Sequence, residues 1–179
     1  GRTDAGVHAL GQVVSFETVT NHSTDRIVNA LNFYLPSDIA VKKARVVDEE
    51  FDPRRCAISR KYRYTIVSSL TRSPLRRRTS FVLTGAMELD FRAMESCIEL
   101  LKGVHDFSRF AGKIENGKST YREIYEASID FDGDQMVFEF EGSSFLPHQV
   151  RRMVGALVDV GKGALLDKQF REMLRGSLG

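Results

Sequence analysis

The order of apolar and polar residues predicts a chain that mixes strands with amphipathic helices. The clearest strand pattern covers residues 57–68, in which alternate side chains point to opposite faces. One of these faces carries Ile58, Arg60, Tyr62, Tyr64 and Ile66. The clearest helix pattern covers residues 148–160, where apolar residues recur at the i, i+3, i+4, i+7 and i+8 positions from Val150.

Shorter strands are predicted on both sides of these two elements. Apolar β-formers predict strands over residues 12–17 and 39–47. Residues 121–131 and 135–141 flank Asp132-Gly133-Asp134, which has the composition of a hairpin turn. These segments indicate a largely antiparallel sheet.

Three further helices are indicated by apolar spacing and by residues typical of helix ends. Thr24 is the predicted N-cap of a helix that Pro36 ends. A second helix covers residues 91–102, with Asp90 as its cap and Gly103 as its stop, and a short one covers residues 167–175. The pattern predicts an α+β fold, in which helices pack on one face of a mostly antiparallel mixed sheet.

The basic residues are unevenly distributed along this chain of 179 residues. Residues 53–87 contain nine Lys and Arg and no Asp or Glu, which leaves 17 basic against 24 acidic residues elsewhere. The block therefore carries +9 and the remainder −7, although the whole chain is only +2. A block of one sign on this scale indicates a polyanionic partner. Its members are Arg54, Arg55, Arg60, Lys61, Arg63, Arg72, Arg76, Arg77 and Arg78.

Several classes of protein are disfavoured by the composition. The four histidines are scattered without paired spacing, which argues against a zinc site. The two cysteines are too few for a disulfide scaffold and suit a reducing cytoplasm. No apolar run approaches the ~20 residues that a membrane helix needs.

The first nine residues, Gly-Arg-Thr-Asp-Ala-Gly-Val-His-Ala, contain the most concentrated candidate chemistry. Two glycines indicate a shaped loop, and Arg2 favours an ionised Asp4, as a nucleophile requires. The alternative interpretation is a turn in which the Asp4 side chain binds its own backbone.

The string from Arg2 to Ala9 resembles the catalytic motif of the tRNA pseudouridine synthase A family. The resemblance places the catalytic aspartate at Asp4, with Arg2 and His8 as substrate contacts. The resemblance runs in unbroken order to about residue 163. The family's first strand and helix and its extreme C-terminal stretch have no counterpart in the resemblance, which therefore implies a fragment. It also implies one partial pseudouridine synthase catalytic region over residues 1–179. The alternative is a division into two lobes, with residues 1–50 as the end of an N-terminal lobe and residues 51–179 as the C-terminal lobe.

Two later stretches extend the resemblance. Arg60-Lys61-Tyr62-Arg63-Tyr64 is similar to the second family motif, which places the active-site tyrosine at Tyr62 and leaves Tyr64 to packing. The segment around Val150-Arg151-Arg152-Met153 is similar to the third motif, whose arginine pairs with the catalytic aspartate; that role falls on Arg151. The predicted RNA contacts are Arg54, Arg55, Arg60, Lys61, Arg76, Arg77, Arg78 and Arg152.

The resemblance implies an enzyme that isomerises uridine to pseudouridine in the anticodon stem-loop of tRNA. It implies a cytoplasmic homodimer without cofactor or metal. A non-catalytic RNA-binding module, or an incompetent fragment of such an enzyme, is the main alternative. A third alternative is a hydrolase that uses Asp4 with His8 or His105, but the sequence contains no supporting Ser or Cys motif. We interpret His105-Asp106 as structural.

Overall fold

The computed structural model describes residues 3–4, 6–85, 88–115 and 117–175, which form two compact units. The first unit covers residues 1–57 and the second residues 58–179. The division into two lobes at residue 50 stays a prediction. Among the described residues, no helix has the length and apolar character needed to cross a membrane.

The first unit contains one helix, α1 (Thr24–Tyr34). Its N-cap is Ser23 and not the predicted Thr24, because Ser23 has extended backbone angles and its hydroxyl accepts from the Arg26 N–H at 3.3 Å. The helix ends at Tyr34, just before Leu35-Pro36, as predicted. The Asn32 side chain binds both the N–H and the C=O of Val41, which holds the following segment against the helix.

The predicted strands at residues 12–17 and 39–47 are wrong, because the described part of this unit contains no strand. A strand is stabilised by a ladder to a neighbour, and apolar composition alone cannot supply one. Instead, the Lys42 ammonium donates to the Leu10 carbonyl at 2.8 Å. None of the described residues of this unit is buried, and the Val14 and Phe16 side chains are exposed.

The second unit is built on a five-stranded sheet. Its strands are β1 (Arg60–Ser69), β2 (Phe81–Thr84), β3 (Gly103–Asp106), β4 (Tyr121–Asp132) and β5 (Gln135–Gly142). Their order is β2-β1-β5-β4-β3, with only the β1–β2 pair parallel. The predicted hairpin is confirmed as β4–β5, and Gly133 at its turn has a φ of +60°. The short strands β2 and β3 were not predicted.

Three helices cover one face of this sheet, as predicted: α2 (Phe91–Glu99), α3 (Gln149–Gly161) and α4 (Asp167–Met173). The Asp90 cap is confirmed, since its carboxylate accepts from the Ala93 N–H at 3.0 Å. Alternate residues of β5, including Phe138 and Phe140, are fully buried beneath the helices. The mixed α/β architecture is that of the predicted fold class.

Candidate functional site

In the second unit, the candidate site lies along β1, whose successive side chains point to opposite faces of the sheet. Tyr62, Tyr64 and Ile66 point to the face that the helices cover, but only part of that face is covered. Ile66 is 2% exposed, Tyr64 is half-buried and Tyr62 is 38% exposed. The strand therefore emerges from the core toward its first residues, and Tyr62 is the first aromatic side chain that solvent reaches.

Phe145 packs against Tyr62 from the segment between β5 and α3. The two ring centroids lie 5.1 Å apart with an interplanar angle of 77°, which is an edge-to-face contact. Phe145 is the first residue of the stretch around Arg151 that resembles the third family motif, but the resemblance assigned no role to it.

Arg151 lies in the first turn of α3, and its side chain is exposed. It is close enough to Tyr64 for its charge to act on that residue. Burial raises the pKa of the Tyr64 hydroxyl above its usual value, and the positive charge of Arg151 opposes this shift. The helix therefore brings a cation to the face of β1 that carries Tyr64, two residues along the strand from Tyr62.

The start of α3 is fixed by several contacts. His148, the N-cap, has a left-handed backbone with a φ of 62° and makes no side-chain cap. The buried Gln149 side chain accepts from the Leu146 N–H at 2.8 Å. Gln149 is 1% exposed, so this hydrogen bond satisfies a buried polar group that would otherwise be costly. These contacts fix the position of the first turn of α3, which carries Arg151.

Arg152 takes a different direction from Arg151, as the helical spacing predicts. Its guanidinium donates to the Ala111 carbonyl, in the segment that follows the 3-10 turn Ser108–Phe110. Arg152 is therefore bound to the protein's own backbone. Its predicted role in RNA binding stays a prediction.

The predicted RNA-binding residues of the second unit do not share one surface. Lys61 and Arg63 point to the uncovered face of the sheet, where each binds the Glu139 carboxylate at 2.7 Å. Hydrogen bonds from Lys61 and Arg63 lower the pKa of Glu139 below its usual value. Arg60 lies on the opposite face and donates to the Ser143 carbonyl at 2.6 Å.

The arginines at positions 76–78 lie at the far end of the sheet from Tyr62. Arg76 binds the Asp134 carboxylate at 2.7 Å, beside the β4–β5 turn, while Arg77 and Arg78 are exposed. The Asp134 carbonyl of this turn accepts from the Ser68 N–H, which lies about 20 Å along β1 from Tyr62 at ~3.3 Å per residue. The basic block of residues 53–87 thus places cations at both ends of the sheet and on both of its faces.

The Asp4 loop belongs to the first unit. The Asp4 carbonyl accepts from the Val7 N–H at 3.1 Å, and Gly6 has a φ of +79°, as expected of a turn that needs glycine at its third position. The Asp4 side chain is exposed, as is His8. Arg2 lies outside the described residues. The pairing of Asp4 with Arg151 stays a prediction.

Arg54 and Arg55 also belong to the first unit, at its C-terminal end. The Asp52 carboxylate accepts from the backbone N–H groups of Arg54 and Arg55, at 2.7 and 3.2 Å. These hydrogen bonds lower the pKa of Asp52 below its usual value. Both arginine side chains are exposed, as an RNA contact requires, and their role stays a prediction.

The His105-Asp106 pair is engaged in local structure. A ring nitrogen of His105 binds the Lys102 carbonyl at 2.8 Å, and the Asp106 carboxylate accepts from the Ser108 N–H at 2.9 Å. The described residues contain no group of three or more His, Cys, Asp or Glu that could hold a metal ion. Near the start of β1, the exposed Tyr62 ring lies two residues from Tyr64, on which the charge of Arg151 acts. An accessible ring in a cationic environment suits an unpaired base and its phosphate.

Comparison with known proteins agrees with this chemistry. Residues 97–178 match a family model described as tRNA pseudouridine synthase. The chain is 42% identical over 174 residues to a tRNA pseudouridine synthase A of Exiguobacterium sp., covering 97% of this chain and 69% of the relative. The tRNA pseudouridine synthase A of Myxococcus xanthus is 44% identical over 164 residues, or 91% of this chain and 61% of the relative.

A third relative, from Geotalea uraniireducens, has the same name and is 40% identical over 163 residues. That match covers 91% of this chain and 66% of the relative. The chain thus spans about two thirds of the length of these relatives. From the extent and identity of these matches, this chain belongs to the tRNA pseudouridine synthase A family, whose members are isomerases that act on tRNA.

Proposed function

We propose that this chain takes part in the conversion of uridine to pseudouridine in the anticodon stem-loop of tRNA, with Asp4 as the nucleophile. The observation that carries the proposal is Tyr62, which is exposed near the start of β1, contacts Phe145 and shares a face of the sheet with Tyr64, on which the charge of Arg151 acts. A uridine must leave its stack before its glycosidic bond can be rearranged. An accessible ring beside a cation can receive such a base.

The proposed reaction needs no external reactant. Asp4 attacks either C1′ of the ribose or C6 of the base, and the bond between C1′ and N1 breaks. The uracil rotates and forms a new bond from C5 to C1′. After attack at C1′, the bond between the aspartate and C1′ breaks as C5 bonds to C1′; after attack at C6, the bond between the aspartate and C6 breaks once the C5–C1′ bond has formed. On both routes C5 loses its proton and N1 gains one. In this scheme Arg151 pairs with the Asp4 carboxylate and orients it.

Other features of the proposal rest on the family resemblance. A homodimer is expected, and sedimentation of the purified chain would test it. A cytoplasmic location is supported by Cys56 and Cys97, which are both free thiols.

A non-catalytic RNA-binding role is the second candidate. It is favoured by the first unit, in which no described residue is buried, so that the Asp4 loop has little packing to hold it in place. One experiment separates the two candidates: release of tritium from tRNA that carries uridine labelled at C5, together with binding of the same tRNA. Turnover supports the synthase, whereas binding without tritium release supports the RNA-binding module.

A further inference from the structure

The Tyr62 end of the sheet also gathers residues that no motif marks. β1 and β4 begin at this end, and β3 and β5 finish there, as their antiparallel registers require. The segment after β3 and the segment between β5 and α3 therefore lie at the same end of the sheet as Tyr62. Arg109 and Lys113 lie in the first of these segments, and both are exposed.

The Arg109–Lys113 segment is fastened to the start of α3. The Gly112 N–H donates to the Pro147 carbonyl at 2.7 Å, and Arg152 binds the neighbouring Ala111 carbonyl. Gly112 also lies directly against His148, because a Cβ at position 112 would come within 2.7 Å of the His148 ring. The segment and the helix that carries Arg151 thus form one surface.

Arg109 and Lys113 have no acidic partner among the residues that the structure describes. Neither Arg109, Lys113 nor Arg151 forms an ion pair within the described part of the chain, whereas Lys61, Arg63 and Arg76 all do. A cation with a carboxylate at 2.7 Å has its charge largely neutralised. An unpaired cation is free to replace the counterions of a phosphate backbone.

We propose that Arg109 and Lys113, beside the start of α3, form a surface that binds the RNA backbone next to the base held at Tyr62. The inference rests on the proposed tRNA substrate. It differs from the contacts expected of the basic block, since both new residues lie outside residues 53–87. The alternative is that Arg109 and Lys113 are solvated side chains of a loop and bind no ligand.

The test is the salt dependence of tRNA binding by the double variant Arg109→Gln/Lys113→Gln. The probe is a fluorescent, unmodified tRNA transcript, titrated at salt concentrations from about 50 to about 200 mM. Two lost phosphate contacts should lower the log–log slope by ~1.4 to 1.8, at ~0.7 to 0.9 per contact. The charge-conserving variant Arg109→Lys/Lys113→Arg should keep the wild-type slope.

A matched control comes from the opposite end of α3. Arg92 and Lys162 are exposed there, where the Asp90 N–H donates to the Gly161 carbonyl at 2.8 Å. Arg92→Gln/Lys162→Gln changes the net charge equally and should leave the slope unchanged.

An unchanged slope in Arg109→Gln/Lys113→Gln, or an equal loss in the control, would overturn the inference while leaving the proposed function intact. Absence of tRNA binding by the wild-type chain would overturn the proposed function itself, and this inference with it.

Discussion

Tyr62 and Phe145 meet edge to face, with ring centroids 5.1 Å apart, although they lie on different elements of the second unit. Such contacts contribute about 0.5–1.5 kcal/mol beyond the area they bury. The geometry restricts the Tyr62 ring while leaving it 38% exposed. Phe145 is therefore a positioning residue for the proposed base platform.

Replacing Phe145 by leucine should lower kcat/KM about two- to tenfold, because it keeps the apolar volume but removes the aromatic edge. Tritium release under steady-state conditions measures this. Phe131→Leu is a matched control, since Phe131 contacts Phe91 in a similar pair 4.4 Å apart at the other end of the sheet. Equal losses in the two variants would show a general effect on stability, which thermal unfolding would also reveal.

Asp4→Asn should abolish turnover, with a loss of at least about a thousandfold, because an amide cannot act as the nucleophile. Binding of tRNA should change less than about twofold, since the proposed role of Asp4 lies in the chemical step. Single-turnover tritium release and tRNA titration separate these effects. Substantial turnover by Asp4→Asn would exclude covalent attack by this residue.

Arg151→Gln should raise the pKa of Tyr64 further. Burial already raises that pKa, and the variant removes the positive charge that opposes the shift. The Tyr64 phenol then ionises at higher pH in the variant than in the wild type. NMR titration of 13C-labelled tyrosine measures this, with Tyr64→Phe to assign the resonance. In Arg151→Lys, which retains the charge, Tyr64 should titrate as in the wild type. An unchanged pKa of Tyr64 in Arg151→Gln would contradict the electrostatic effect of Arg151 on Tyr64.

Two glycine substitutions should change stability in opposite directions. Gly155 is exposed within α3, and a Cβ there meets nothing within 4 Å, so Gly155→Ala should stabilise the fold by about 1 kcal/mol through helix propensity. A Cβ at Gly142 would lie 2.5 Å from the Glu123 carbonyl oxygen, so Gly142→Ala should cost about 1–3 kcal/mol. Denaturant unfolding of both variants tests this packing, and a stable Gly142→Ala protein would contradict it.

Local features were well predicted by the sequence because their causes lie within a few residues. The β4–β5 hairpin follows from two alternating segments around a glycine turn, and α3 follows from its apolar spacing. The strands expected at residues 12–17 and 39–47 failed because a strand needs a partner that composition does not provide. The parallel strand β2 was missed for the same reason, since its pairing with β1 is non-local.

The sequence by itself determined the family, through the motif around Asp4, and the alternation that places Tyr62 and Lys61 on opposite faces. Only the tertiary structure decided which cations have acidic partners. Lys61 and Tyr62 are adjacent in sequence, yet Lys61 binds Glu139 on one face while Tyr62 contacts Phe145 on the other. Arg109 and Lys113 are distant from both in sequence but reach the same end of the sheet. The reason is physical: charge and shape act through space, and only pairing of the strands and docking of α3 bring distant residues together.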